Sequence, residues 1–344
     1  MTDLEQEPSG RLDRLLEAVR GATEILILPH NDPDPDAIAS ALALRELLSA
    51  TLGIQGTIVY RGIIGRAENK ALVQYLGRPL RHLRTKDLAR ALPVALVDTQ
   101  PGAGNHPLPR NRMPDLVFDH HPLQEATQHV LFADVRPGMG ATSTILFRYL
   151  ETAGIEPSQR LATALFYGIK SDTLGLVRGA GPADVDAYFQ LQRRVDVEAL
   201  IAIERAQVPP EYFRRLHAAL HAARVYGNTA ISYIGPMQRP DLAAEMADLL
   251  SRLEGILWTV CMGAYKGKLI IAVRSRHPRG GAGHLVQTVV GDRGTAGGHG
   301  TSASGQVSLQ QEDPDVLARK LEAEVLAVLG MDSQQVGEPL LEDD

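Results

Sequence analysis

The sequence predicts an α/β protein, with a parallel-sheet domain first and a smaller α+β domain after it. In the first half of the chain, short apolar runs alternate with helical segments, as in the βα units of a parallel sheet. From residue 225 onward the pattern changes to strand-like segments joined by tight turns, with two helical segments between them. The change of pattern places the second domain there.

The predicted strands of the first domain are short apolar runs bounded by turn-forming residues. They cover 24–29 (EILILP), 56–62 (GTIVYRG), 93–100 (PVALVDTQ) and 114–122 (PDLVFDHHP). The predicted helices show helical spacing of apolar residues and cover 11–20, 36–53, 68–77, 140–154 and 157–172. In the helix over 36–53, Asp36 is the expected N-cap and Gly53 the expected stop.

The second half begins with a charged stretch of helical pattern, which predicts a linker with its own helices. Strands are then predicted within 228–235, 255–276 and 300–309, and helices over 241–255 and 314–330. We therefore expect five parts: an N-terminal helix or extension (1–22), the parallel-sheet domain (23–185), a helical linker (186–224), the α+β domain (225–330) and a disordered acidic tail (331–344).

Composition limits the function classes. The chain has 344 residues, of which 44% are hydrophobic, and a formal net charge of -6. That charge argues against a protein that coats long nucleic acid. The single cysteine, Cys261, excludes an intrachain disulfide and a thiolate metal cluster. The sequence shows neither a signal peptide nor an apolar run long enough for a membrane span, so we expect a cytoplasmic protein.

Polar clusters follow three predicted strands directly. In an open α/β sheet, ligands bind beyond the carboxyl ends of the strands, so these clusters should meet at one edge. A further carboxylate ends the helix over 157–172. The residues concerned are His30, Asp34 and Asp36 after the first strand, Asp98 after the third, Asp119, His120 and His121 after the fourth, and Asp172 on the helix.

Clustered carboxylates without a cation repel one another and raise one another's pKa values. Divalent metal removes that repulsion, and mixed imidazole and carboxylate ligands suit Mn, Zn or Fe. Two ions about 4 Å apart with a shared carboxylate would bind a phosphoryl substrate between them. Taken alone, PDPD is more often a surface turn; the coincidence of three strand-end clusters favours the metal site.

Four segments in order resemble the motifs of the DHH phosphoesterase family. They are HNDPDPDAIAS (30–40), VDTQ (97–100), DHHP (119–122) and GIKSDT (168–173). The segment GTAGGHGTSASG (294–305) resembles the glycine-rich motif of the family's associated C-terminal domain. The two-domain layout is most similar to nanoRNase-type oligoribonucleases, which often also remove phosphate from 3'-phosphoadenosine 5'-phosphate (pAp). The resemblance implies an active site in the cleft between the two domains.

The resemblance also implies two divalent metal ions. Mn²⁺ is the expected metal, with Mg²⁺ or Co²⁺ as alternatives. The implied ligands are His30 and Asp34 for one ion, Asp36, His120 and Asp172 for the other, and Asp98 as the bridge.

Three further residues and one segment of this region have expected roles. With Asp98 and His120, His121 completes the implied catalytic group, where it contacts a phosphate or the leaving group, or orients a ligand. Asp119 is expected to hydrogen-bond a neighbouring metal ligand and hold it in place, without binding the metal itself. Asp32 has no family role and is interpreted as a solvated turn residue. The segment GATST (140–144) either offers backbone donors to an anion at a helix N-terminus or is only a cap.

In the second domain, the resemblance implies contacts with the substrate's terminal phosphate or sugar. The implied residues are Arg274, Ser275, Gly297, Gly298 and His299. The glycines would let the backbone approach an anion, and arginine suits bidentate phosphate capture. The alternative interpretation of the glycine-rich segment is a flexible loop, and the alternative for Arg274 is a solvated basic edge. Two positions depart from the family pattern: Ala296 replaces the first of three glycines, and Pro35 stands where many relatives have glycine.

These features predict a metal-dependent phosphodiesterase that hydrolyses short oligonucleotides or linear dinucleotides to mononucleotides, and pAp to AMP, with a metal-activated water. The expected partners are short single-stranded RNA or DNA, a dinucleotide or pAp, without long duplexes or membranes, and a homodimer is expected only because dimers are common. Alternatives are a cyclic-di-AMP phosphodiesterase, a manganese-dependent pyrophosphatase, and a non-catalytic nucleotide-binding module.

Overall fold

The structure, a computed structural model, describes residues 8–341, with the side chains of Pro8 and His299 outside the described part. The predicted extension before residue 8 and the last three residues of the predicted tail also lie outside it. The chain forms two compact units, residues 1–206 and 207–344. The helices of the predicted linker region divide between them: Pro182–Gln192 and Val197–Glu204 belong to the first unit, and Pro210–Ala222 belongs to the second.

The first unit is built on a fully parallel six-stranded sheet of order β3-β2-β1-β4-β5-β6. Its strands are β1 (Glu24–Pro29), β2 (Gln55–Tyr60), β3 (Leu80–His82), β4 (Val94–Val97), β5 (Leu116–Asp119) and β6 (Phe132–Val135). Its helices are α1 (Pro8–Ala18), α2 (Pro35–Leu52), α3 (Ala67–Tyr75), α4 (Thr85–Leu88), α5 (Thr142–Thr152), α6 (Gln159–Asp172), α7 (Pro182–Gln192) and α8 (Val197–Glu204). The predicted parallel sheet is confirmed; the sequence patterns missed the short strands β3 and β6.

Both faces of this sheet are covered, which explains why its strands read as continuous apolar runs. Alternate residues of β1 enter two different apolar clusters: Ile25 and Ile27 one, Leu26 and Leu28 the other. In the first cluster the buried ring of Phe118 meets Tyr149 edge to face, with 5.5 Å between centroids. The central strands are therefore fixed from both sides, and so are the loops that follow them.

The N-terminus of α2 differs from the prediction. Asp34, not Asp36, is the N-cap, and its Oδ1 accepts a hydrogen bond of 3.0 Å from the Ala37 N–H. Pro35 is the reason, since proline is favoured at the first helical position and lacks an N–H that would need a partner there. Gly53 ends the helix in the left-handed conformation, with φ 69°, as predicted.

The second unit has a mixed seven-stranded sheet of order β11-β12-β10-β9-β8-β7-β13, in which only β8 and β9 are parallel among the described pairs. Its strands are β7 (Arg224–Tyr226), β8 (Thr229–Pro236), β9 (Trp258–Tyr265), β10 (Lys268–Ser275), β11 (Gly294–His299), β12 (Ser302–Ser308) and β13 (Glu338–Pro339). Its helices are α9 (Pro210–Ala222), α10 (Asp241–Leu250), α11 (Ala282–Val290) and α12 (Pro314–Val328).

One alternative and one expectation for this unit do not hold. The alternative interpretation of the glycine-rich segment, a flexible loop, is excluded over residues 294–299, because β11 pairs with β12 along its whole length. The tail is not disordered over residues 338–339, because β13 pairs with β7 and Leu340 N–H donates to the Ala223 carbonyl at 3.0 Å. Leu340 also packs against an apolar cluster beside α9 and α10, an anchor that the acidic composition concealed.

The packing of Phe118 leads to a stability prediction. We expect Phe118→Ala to lower the free energy of unfolding of the first unit by about 3–5 kcal/mol, because it leaves a cavity between β5 and α5. Leu131→Ala is the control, since Leu131 is 68% exposed and its truncation should cost less than about 0.5 kcal/mol. Urea titration followed by circular dichroism measures both, and equal losses in the two variants would contradict the packing described.

Candidate metal centre

The candidate site lies at the point in the sheet of the first unit where the chain switches from adding strands on one side of β1 to adding them on the other. The chain adds β2 and β3 on one side of β1, and β4, β5 and β6 on the other. Ligands bind at such a switch point, beyond the carboxyl ends of the strands. His30 follows β1 and Asp98 follows β4, so the two residues leave neighbouring strands at this point.

The first group of potential ligands consists of His30, Asp34 and Asp98. The Nε2 atom of His30 lies 3.5 Å from Asp98 Oδ2 and 3.7 Å from Asp34 Oδ1. One ligand atom from each of the three residues lies within 4.8 Å of the other two. This spacing suits a divalent ion at the centre of the three atoms.

The second group consists of Asp36, His120 and Asp172, with the same closeness of ligand atoms. The Nε2 atom of His120 lies 3.1 Å from Asp172 Oδ2 and 3.6 Å from Asp98 Oδ1. Asp98 therefore has one oxygen near each histidine and joins the two groups. The structure thus brings together all six residues that were predicted as ligands.

Hydrogen bonds fix how both histidines present their rings. The Nδ1 atom of His30 lies 2.7 Å from the Asn31 carbonyl, and that of His120 lies 3.2 Å from the Met139 carbonyl. Because a carbonyl only accepts, each Nδ1 carries a proton, and Nε2 is the nitrogen that can bind a metal once its own proton has left. Nε2 of His120 is buried without a hydrogen-bond partner in the described structure, as expected of a metal ligand.

Without metal, protons compensate the negative charge of the site. Burial alone would lower the pKa of His30, but the neighbouring Asp34 and Asp98 outweigh it and raise the value to about 10. Burial is likewise outweighed at His120, where Asp172 and Asp98 raise the pKa to about 11. Burial, with the charge of Asp34, raises the pKa of Asp98 to about 6. The cluster therefore requires cations, and divalent metal supplies them.

Asp36 receives its support from a helix N-terminus. Its carboxylate is fully buried, and its two oxygens accept hydrogen bonds of 2.7 Å from the backbone N–H groups of Thr142 and Ser143. Burial and the nearby Asp98 raise the pKa of Asp36. The N–H groups of GATST at the start of α5 are thus engaged by a carboxylate of the protein. This answers the open question about that segment: its donors orient Asp36.

Asp98 has an unusual backbone. It adopts φ 59°, in the left-handed region that non-glycine residues rarely occupy, and its side chain is buried. The Thr142 hydroxyl donates to Asp98 Oδ1 at 2.8 Å, and Asp98 N–H donates to the Phe118 carbonyl. Such strain clusters at functional sites, where the surroundings enforce it. Here it aims the carboxylate between the two histidines.

Asp119 is buried and hydrogen-bonds its neighbours His121 and Gln100. Its Oδ1 lies 2.7 Å from Nδ1 of His121, and Gln100 Nε2 donates to Oδ2 at 2.8 Å. His121 is 37% exposed, with Nδ1 3.8 Å from Asp98 Oδ1. Burial would lower the pKa of His121, but Asp119 outweighs it and raises the value. The buried amide of Gln100 was missed, although it stands in the quoted segment VDTQ.

Arg178 was missed because only the folded loop brings it to the site. Its guanidinium donates two hydrogen bonds, of 3.1 and 2.6 Å, to the carbonyl of Asp172. The intervening loop needs left-handed backbone at Leu174 (φ 51°) and Leu176 (φ 73°). No spacing rule predicts such a loop, so the sequence carried no signal for this contact.

Asp32 is exposed, as its interpretation as a turn residue required, and it also binds a neighbouring loop. Its Oδ1 accepts from the Ile63 N–H at 2.6 Å, and its own N–H donates to the Arg61 carbonyl at 3.0 Å. Asp32 lies outside every group of potential ligands found in the described structure.

In the second unit, two of the residues expected to bind substrate are engaged within the protein. Arg274 forms an ion pair of 2.5 Å with Asp248, and Ser275 is buried, with its hydroxyl donating to the Gly280 carbonyl at 3.0 Å. Gly297 and Gly298 lie in β11, where Gly298 has φ 118°. The side chain of His299 lies outside the described part of the structure. The implied phosphate contacts of these residues stay predictions.

Fold and site together define the class: a parallel α/β protein with a histidine and carboxylate metal centre at the switch point of its sheet. The family follows from comparison with known sequences. Residues 24–169 match the DHH family, N-terminal domain. The first unit therefore belongs to the DHH family, as its motifs predicted.

Two relatives show how far the similarity extends. An uncharacterised protein of Methanocaldococcus jannaschii is 35% identical over 320 residues, which are 90% of this chain and 65% of that protein. A probable manganese-dependent inorganic pyrophosphatase of Streptococcus pyogenes is 29% identical over 160 residues, which are 44% of this chain and 49% of that protein. The chain thus spans less than two thirds of the length of either relative.

A solved structure confirms the fold. The crystal structure of an exopolyphosphatase-related protein from Bacteroides fragilis matches with a TM-score of 0.72 and 15% identity, over 95% of this chain and 98% of that one. At this identity the match speaks for the architecture alone. Within the described residues, no helix has the length and apolar character that crossing a bilayer requires.

The two aspartates with left-handed backbone provide a matched test of the metal centre. We expect Asp98→Asn to weaken Mn²⁺ binding by roughly 100-fold or more, because it removes the negative charge that lies next to both His30 and His120. Asp32→Asn is the control, with the same change at φ 56° in the neighbouring loop, and should bind Mn²⁺ like the wild type. Calorimetric titration of metal-free protein measures this, and equal effects of the two substitutions would contradict the site.

The raised histidine pKa values predict proton release. With pKa values of about 10 and 11, His30 and His120 are protonated at pH 7 in metal-free protein, and binding through Nε2 must displace those protons. Apparent Mn²⁺ affinity should therefore rise with pH, and fall more steeply below pH 6, where Asp98 also takes up a proton. Titrations in buffers of different ionisation enthalpy count the protons; a binding heat independent of buffer would refute this prediction.

Proposed function

We propose that the protein is a divalent-metal-dependent phosphoric ester hydrolase that acts on short nucleotide substrates. The proposed substrates are di- to pentanucleotides, including linear dinucleotides, and pAp. Hydrolysis would convert the oligonucleotides to mononucleotides and pAp to AMP. Membership of the first unit in the DHH family and the manganese-dependent pyrophosphatase relatives support hydrolysis at phosphorus. The choice of nucleotides rests on the resemblance of the motifs to nanoRNase-type enzymes.

One observation carries the proposal: Asp98 belongs to two groups of potential ligands at once. One group contains His30 and Asp34, and the other contains His120 and His121. Oδ2 of Asp98 lies 3.5 Å from Nε2 of His30, and Oδ1 lies 3.6 Å from Nε2 of His120, which also belongs to the group with Asp36 and Asp172. A carboxylate so placed is suited to bridging two ions, which is the arrangement used for in-line displacement at phosphorus. We propose two Mn²⁺ ions, with Mg²⁺ or Co²⁺ as substitutes.

When bound, the ions would supply Lewis-acid activation of water and would neutralise charge that develops on the phosphoryl oxygens. The protein's own residues would do the rest. Asp98 would hold the shared position, fixed by its strained backbone and by Thr142. His121 is held by Asp119, which raises the pKa of its imidazole, and would donate a proton to the leaving oxygen. No side-chain nucleophile is required.

Inorganic pyrophosphate is the second candidate substrate. It is favoured by the 29% identity over 160 residues to a probable manganese-dependent inorganic pyrophosphatase. That alignment covers only 44% of this chain. The glycine-rich segment of the second unit, which resembles a nucleotide-linked motif, favours the nucleotide substrate instead.

A substrate comparison tests the proposal. Purified protein is given Mn²⁺, Mg²⁺ or Co²⁺ in turn and 5'-phosphorylated RNA of two to 24 nucleotides, pAp, cyclic di-AMP or pyrophosphate. We expect metal-dependent hydrolysis of RNA dimers and pAp, with rates that fall steeply with length. Asp98→Asn should be roughly 100-fold slower or worse, since metal ions contribute several kcal/mol at the transition state.

The other outcomes separate the alternatives. Asp32→Asn should hydrolyse at the wild-type rate, which controls for charge removal beside the site. Rates independent of length would favour a single-strand exonuclease, and preference for cyclic di-AMP or pyrophosphate would replace the substrate class. Wild-type protein that binds Mn²⁺ but hydrolyses none of these compounds would refute the proposal and favour a non-catalytic nucleotide-binding module.

A further inference from the structure

An aromatic pair lies at one end of the sheet in the second unit. Trp258, the only tryptophan of the chain, begins β9, and His277 lies two residues beyond the end of β10. Their ring centroids are 6.3 Å apart, and their planes are within 20° of parallel. Trp258 is the register partner of Ser275. The pair therefore lies at the sheet end that also carries the predicted phosphate contacts.

The turn after β10 fixes the imidazole of this pair. The Ser275 hydroxyl accepts from His277 N–H at 3.1 Å and donates to the Gly280 carbonyl, and Gly280 N–H donates to the His277 carbonyl at 2.8 Å. Arg279 N–H donates to Nδ1 of His277 at 3.3 Å, so Nε2 carries the ring proton of the neutral tautomer. A ring held in this way is pre-oriented for a ligand.

The indole is held in place from its other side. Trp258 is partly exposed and packs against the apolar cluster beneath the sheet. Gly281, with φ 100°, lies so close that a Cβ there would be 3.1 Å from the indole Cη2. The indole is therefore braced by the core and by a glycine turn, and its plane is set before any ligand arrives.

The same turn carries exposed positive charge. Arg276 and Arg279 are exposed on either side of His277 and Pro278. Arg276 donates one hydrogen bond, of 3.3 Å, to the Ser251 carbonyl. By contrast, the charge of Arg274 is matched by Asp248. Flat aromatic surface beside exposed arginines is the chemistry that binds a base together with its phosphate.

We propose that Trp258 and His277 form a stacking surface for the nucleobase of a nucleotide, with Arg279 taking a phosphate of the same nucleotide. The inference rests on the proposed function, of which it specifies the substrate class. Pyrophosphate has no face that could use such a surface. A tryptophan that only filled the core would not require a histidine held parallel to it on a turn bearing two exposed arginines.

The tryptophan provides its own assay. As the only tryptophan, Trp258 is the sole source of tryptophan fluorescence in the full-length protein. Metal-free protein is titrated with AMP, and separately with ribose 5-phosphate, which has the phosphate and sugar but no base. We expect AMP to quench the emission and to bind roughly tenfold more tightly than ribose 5-phosphate, as a stacked base would.

Variants test the two rings separately. His277→Leu should weaken AMP binding roughly tenfold, and His217→Leu should leave it unchanged. His217 is the matched control, because it forms a near-parallel pair with His221, 6.0 Å apart, on α9 of the same unit. Calorimetry replaces fluorescence for Trp258→Phe, which should stay within about threefold of wild type, and for Trp258→Leu, which should lose roughly tenfold. Circular dichroism checks that each variant folds.

The inference is overturned if AMP and ribose 5-phosphate bind alike, or if correctly folded His277→Leu binds AMP like the wild type. These outcomes are distinct from failure of the proposed function, which is measured as hydrolysis by metal-loaded wild-type protein. Quenching by AMP without hydrolysis would support the stacking surface and refute the hydrolase. Hydrolysis of pAp or pyrophosphate by protein that binds AMP and ribose 5-phosphate equally well would support the hydrolase and refute the stacking surface.

Discussion

The accumulation of negative charge at one edge of a buried sheet is the constraint on which the site depends. Asp34, Asp36, Asp98 and Asp172 lie around the two histidines His30 and His120. Such a cluster exists only where the fold supplies compensating positive charge. Two helix N-termini contribute: Asp34 caps α2, and Asp36 accepts from the first N–H groups of α5. The raised pKa values of both histidines show that this compensation is incomplete, which leaves a demand that divalent cations meet.

The order of the strands explains how distant segments meet at this edge. β1 and β4 are neighbours although α2 and two βα units (β2–α3 and β3–α4) separate them in sequence, and the strands that follow them are added on opposite sides of this pair. The first residues after β1 and β4 therefore meet at one edge of the sheet. Asp98 must turn back immediately after β4 to present its carboxylate there, and the left-handed backbone achieves this turn. The strain at Asp98 is thus a consequence of topology as well as of chemistry.

The sequence predicted the parallel sheet, and the six residues that it proposed as metal ligands lie together in the structure, since both follow from local patterns. Apolar runs mark buried strands, and the polar residues that end them mark one edge of the sheet. It could not predict contacts that depend on loop conformation, such as those of Arg178 with Asp172. It also misassigned Asp36 as the N-cap of α2, because Pro35 shifts the helix start. It missed β3 (LRH) and β6 (FADV), because polar residues interrupt the apolar run in both strands. The ordered tail at Leu340 was concealed by acidic neighbours.

The second unit shows how a motif residue can act through its neighbours. Arg274 and Ser275 were singled out as substrate contacts, yet the first is paired with Asp248 and the second is buried in the turn that follows β10. The Ser275 hydroxyl fixes that turn through His277 N–H and the Gly280 carbonyl, and the turn presents His277 and the exposed Arg279. A metal centre made of imidazoles and carboxylates responds to phosphorus and oxygen alone, so it cannot distinguish a nucleotide from pyrophosphate. If the substrate is a nucleotide, selection must come from a surface that recognises the base, and the pair of Trp258 and His277 has the chemistry for it.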